Sequence, residues 1–176
     1  MRALALGAAL AAAVLPAATA ERTARYAAPG CEVALEERAT EPVLLLRPGC
    51  PLDLATSVRA LAALLAELHP ERRLDGVRAL SLGRIEELPW LSERLSAAAR
   101  TAPSWDVRTG RARQGTAERA VADLLQAGAL ARELVEVLAT FGAEAEIASV
   151  EKVLVGGDAG DRVPRDAVVW LRLAPH

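Results

Sequence analysis

Three arginines, a tryptophan and two glycines fall within the twelve residues Ser104–Gly115 (SWDVRTGRARQG). A guanidinium group donates paired hydrogen bonds to carboxylate or phosphate, so a loop of this composition suits recognition of an anionic group. Trp105, Arg108, Arg111 and Arg113 therefore form the candidate ligand-binding set. Arg84, beside Glu86 and Glu87, is a further candidate ligand-binding residue outside that segment. The plainer alternative is a solvated loop with Trp105 tucked against the core.

Other chemistry finds less material. The histidines are His69, before a proline, and His176, the last residue. With both cysteines committed below, no set of nitrogen and sulfur ligands assembles, and no metal or other cofactor is expected. Asp158 and Asp161 in GGDAGD read as a solvated hairpin loop rather than an oxygen-ligand site. No serine stands in G-x-S-x-G, and neither phosphate-binding glycine motif is present. Glu86 and Glu87 are adjacent carboxylates before a helix start, where they complement its dipole without acid–base work. No catalytic residue is expected.

The address is clearer than the chemistry. Met1–Arg2 is followed by an apolar run, Ala3–Leu15, then Pro16 and the small residues Ala18-Thr19-Ala20. This is the pattern of a cleaved secretory signal, and the run is shorter than the roughly 20 residues a membrane span needs. The expected product starts at Glu21 and is periplasmic or secreted, soluble and not membrane-spanning. It retains 156 residues with 20 basic and 23 acidic side chains, net −3. Nucleic-acid binders carry a strongly basic face, so nucleic acid is an unexpected partner. Aromatic residues make up 3% of the chain, too few for a stacking platform, and leave Leu, Val and Ala to build the core.

Cys31 and Cys50 are the only cysteines, and an even count in an exported chain reads as a disulfide. Glu32–Arg38 and Val43–Arg47 look like two strands about a turn at 39–42. If Arg38 faces Val43, paired positions sum to 81. Cys31 and Cys50 obey the same sum and face each other across the open end of the hairpin.

The elements that must carry these residues follow from punctuation and period. Residues 1–20 are the signal, 21–30 a flexible lead punctuated by Pro29-Gly30, and 31–176 one domain. Asp53 is placed to cap a helix whose stripe is Leu54, Val58, Leu61, Leu65 and Leu68, and His69-Pro70 ends it. Val77–Leu82 reads as a strand, 83–87 as its exit loop, 89–100 as a short helix and 101–115 as a long loop. A helix from Thr116 to about Phe141 is either broken at Gly128 or makes a close contact there. Strands at 145–155 and 167–173 close the chain. The order predicts an α+β fold, a mixed or antiparallel sheet of about five strands with helices packed on one face.

The strand Val77–Leu82, a loop and the helix start Leu91-Ser92-Glu93-Arg94 resemble the exported OmpA-like peptidoglycan-binding domains over about fifteen residues. That resemblance implies an envelope protein or peptidoglycan-type ligand as partner. The family's T-D-x-x-G loop is replaced here by Ser81-Leu82-Gly83-Arg84-Ile85. The expected role is non-catalytic binding of a protein or envelope component. A hydrolase or transferase with a dispersed polar site around 84–115, and a carrier of an apolar ligand, are the alternatives.

Overall fold

The computed structural model describes residues 21–101, 105–106, 111–112, 128–151 and 167–175. Among the described residues eight strands occur: β1 (Arg22–Ala28), β2 (Cys31–Glu37), β3 (Val43–Pro48), β4 (Ala79–Arg84), β5 (Trp105–Asp106), β6 (Arg111–Ala112), β7 (Ala143–Glu151) and β8 (Val168–Pro175). Three helices accompany them among the same residues, α1 (Leu54–Leu68), α2 (Pro89–Thr101) and α3 (Arg132–Ala139), with a 3₁₀ turn at Ile85–Glu87. Six strands form one mixed sheet in the order β1-β2-β3-β4-β8-β7, and β5 and β6 pair separately. The fold is α+β. Only β3 and β4 run parallel, with α1 as their crossover.

The flexible lead expected at 21–30 is instead a strand. β1 pairs with β2 without a register shift from Arg22↔Glu37 to Ala28↔Cys31, and Pro29-Gly30 is the turn between them, with Gly30 at φ +72°. Proline then glycine at positive φ suits the two central positions of a tight turn. The strand escapes pattern reading because alanine fills three of its seven positions, and alanine has little intrinsic strand preference. Burial of Ala24 beneath α1 and pairing with β2 define it from outside. This adds the sixth strand to the five expected.

The β2–β3 hairpin has the predicted register: Val33↔Pro48, Leu35↔Leu46 and Glu37↔Leu44 all sum to 81. Cys31 and Cys50 stand at disulfide distance with their Cα atoms 5.8 Å apart.

Alternation sorts the sheet into two faces. Ala24, Val33, Leu35, Leu44, Leu46, Leu80, Val169 and Leu171 are buried on one, where Ala60, Leu61, Leu64, Leu65 and Leu68 of α1 meet them in one continuous core. The buried arc of α1 is rotated from the predicted stripe, leaving Leu54 and Val58 half-buried and burying Ser57. A polar residue is tolerated there because its hydroxyl bonds the Asp53 carbonyl at 2.8 Å and receives the Trp90 indole N–H at 3.1 Å. The second bond also ties α2 to α1.

Other boundaries move by small amounts. The strand expected at 77–82 is β4, and Gly83 and Arg84 belong to it rather than to an exit loop. An extra residue lies between Ser81↔Trp170 and Arg84↔Val168, a bulge that Gly83 permits at φ +92°. The long helix expected to reach Phe141 is interrupted, with Gly128 at φ +66° and α3 beginning only at Arg132. Its expected portion at 116–127 lies outside the described residues, as do residues 1–20, expected as a signal, and the loop expected at 156–165.

Candidate functional site

Arg84 ends β4, and the turn that follows folds back upon it. Glu87 accepts the Arg84 backbone N–H at 2.9 Å and its guanidinium at 3.0 Å, while Glu86 takes the other guanidinium nitrogen at 2.9 Å. The Glu87 contacts, then Glu86, raise the Arg84 pKa above its ordinary value. The backbone stays close because residue 83 is glycine: a Cβ there would stand 3.0 Å from Glu87 Oε2 and 3.0 Å from Pro48 Cδ. Arg84 is thus a clasp across a strand–turn junction. Anion binding by it would compete with two carboxylates. Glu86 and Glu87 are both engaged by the Arg84 guanidinium.

Of the other candidate residues, Trp105 pairs with Ala112 and Asp106 with Arg111 in the antiparallel β5–β6 ribbon. The ribbon brings Trp105 and Arg111 into adjacent rungs. Arg108 and Arg113 lie outside the described residues.

One polar cluster joins residues that no sequence spacing connects. His69 caps α1 with its N–H on the Leu65 carbonyl at 2.7 Å, and its side chain is only 6% exposed. Its Nε2 is 3.7 Å from Glu37 on β2 and its Nδ1 3.5 Å from Glu71. Arg22 of β1 pairs with Glu37 at 3.1 Å and donates to the Leu68 carbonyl at the end of α1. A cation at that position satisfies helix-terminal carbonyls. The Glu71 carboxyl is held below its ordinary pKa chiefly by its own backbone N–H, which outweighs burial, the next largest effect; the His69 charge and hydrogen bond and then Arg22 lower it further. The cluster binds β1, β2 and α1 into one body. His69 is a fold-holding residue, shielded from any substrate in solution.

The resemblance to OmpA-like domains includes residues 81–85. Where that family has a ligand loop, Ser81–Arg84 are strand and Ile85 is buried, its N–H bonded to Ala167. Among the described residues no cluster of three His, Cys, Asp or Glu is arranged to hold a metal, and no helix is long and apolar enough to cross a membrane.

Backbone direction leaves one feature that side-chain inspection overlooks. Gly49 donates to the Glu32 carbonyl at 2.9 Å, and Arg38 to Val43. In an antiparallel ladder alternate residues bond to opposite neighbours, so Glu32, Ala34 and Glu36 serve β3 while Cys31, Val33, Leu35 and Glu37 serve β1. Their partners on β1 are Ala28, Tyr26, Ala24 and Arg22. Thr23, Arg25 and Ala27 therefore aim their N–H and C=O groups away from the sheet. β1 is its terminal strand.

No protein-family model, curated protein or solved structure matches the chain.

Proposed function

We propose that the protein is an exported domain, periplasmic or secreted, that binds a protein or envelope component without catalysing its conversion. The observation that carries this reading is the commitment of the chemistry-bearing side chains to the fold. Arg84 is clasped by Glu86 and Glu87, His69 is wedged between Glu37 and Glu71, and Ser57 is tied to Trp90 and Asp53. The Cys31–Cys50 pair at disulfide distance supports an oxidising destination, and residues 1–20 supply the route. The proposed ligand contacts are Trp105, Arg108, Arg111 and Arg113, with Arg84 at best a shared cation. A peptidoglycan-type ligand belongs to the same proposal.

Two measurements test it. Expression of the full chain in a diderm bacterium, with fractionation and N-terminal sequencing, is expected to return a periplasmic product beginning at Glu21; a cytosolic chain keeping Met1 removes export. In-cell cross-linking is expected to give saturable adducts with an envelope component, weakened at least tenfold by joint R108A, R111A and R113A. Undiminished adducts in the triple variant would take the arginine segment out of the site.

A further inference from the structure

β1 leaves one edge of the sheet open among the described residues. Three successive outward residues, Thr23, Arg25 and Ala27, offer N–H and C=O groups that are unpaired among the described residues. The seven-residue register with β2 has no bulge, and β1 contains no proline. The other terminal strand differs, because β7 carries a register shift between Ile147 and Ser149. Bulges, prolines and edge charges are the usual devices that prevent strand addition; β1 carries only the last, in Arg25, which repels a cationic strand and admits an acidic one. It is also firmly backed: α1 covers Ala24, and Arg22 ties the strand to Leu68 and Glu37. A rigid, extended template spares an incoming strand the entropy of ordering both partners.

Charge selects the occupant. On the face away from the helices, Arg47 of β3 pairs with Glu36 of β2 at 3.4 Å, and Glu32 of β2 with Arg25 of β1 at 2.8 Å. Cation and anion alternate from strand to strand, and Arg25 is the last in the series. Its side chain is 69% exposed, and one carboxylate leaves most of its five donors free. The residue beside it on an added strand would sit about 5 Å away, where a carboxylate continues the series and a cation opposes it. Two copies of this chain joined with Arg25 against Arg25 would place like charges opposite each other. We propose that β1 captures an extended acidic segment of another protein by strand addition, with a carboxylate set against Arg25. This rests on the binding reading above but uses a surface separate from the arginine segment.

The test uses the oxidised full chain and two synthetic decapeptides, alternating Val/Thr with Glu or the same sequence with Lys. The Glu peptide is expected to bind at least tenfold more tightly and to slow amide exchange at Thr23, Arg25 and Ala27. Ala27→Pro removes an outward N–H without touching the β1–β2 ladder, a position where proline is tolerated. It should abolish binding while the melting temperature stays within a few degrees. Arg25→Glu should invert the preference toward the Lys peptide. Equal binding of the two peptides, or full binding by a folded A27P chain, overturns the proposal, as does concentration-dependent protection of these amides without peptide, which marks self-association. If in-cell adducts persist in A27P but fall in the arginine triple variant, the edge is rejected while the binding reading stands.

Discussion

Gly83 shows how one backbone position can hold a charged junction together. Its φ of +92° is costly for any side chain, and a Cβ would press on both Glu87 and Pro48. Gly83→Ala is expected to lower stability by about 1–3 kcal/mol in urea unfolding, with a loosened Arg84 clasp. Asp53 is a second position of this kind. Its carboxylate accepts the Thr56 N–H at 2.6 Å at the start of α1, and that backbone bond, followed by the Thr56 hydroxyl, lowers its pKa below 3.8. A lowered carboxyl favours the folded state above its unfolded value and loses that advantage as pH falls through the folded value. Wild type should therefore lose more stability than Asp53→Ala on acidification below about pH 4, a difference readable from paired thermal melts. Glu71, lowered chiefly by its own N–H, contributes in the same direction.

At the scale of elements, α1 organises the molecule. It crosses between the parallel strands β3 and β4, covers β1 and β2, and receives the Trp90 bond from α2. Leu61 and Leu65 are wholly buried in it. Leu61→Ala is expected to cost about 2–5 kcal/mol, since removed methyl groups leave a cavity the sheet cannot fill; denaturant midpoints measure it. The helix was legible in sequence because a cap, a 3.6-residue period and a terminating His-Pro all agree. β1 was not, because its alanines carry no strand signal and its definition comes from β2 and α1. Pro29-Gly30 was visible, yet a turn acquires meaning only once the strand before it is recognised.

At the scale of the whole molecule, the Cys31–Cys50 link closes the open end of the β2–β3 hairpin, 19 residues apart in sequence. Replacing both cysteines with serine should destabilise by roughly 3 kcal/mol on the chain-entropy estimate, measured by urea unfolding of wild type and variant. Reduction of wild type should reproduce that loss and leave the variant unchanged. The core itself is mainly Leu, Val and Ala with Phe141, as the scarcity of aromatics required.

The hairpin register, the cysteine partners, the long amphipathic helix and the α+β class follow from residue order alone. Each depends on contacts between residues near in the chain, where spacing translates directly into geometry. Tertiary packing alone brings Arg22, Glu37, His69 and Glu71 together and leaves β1 at the end of the sheet, its outward backbone unpaired among the described residues. Those results depend on residues up to 46 positions apart and on which strand has no further neighbour. Local periodicity carries no record of either, because long-range pairing is set by burial of the whole core.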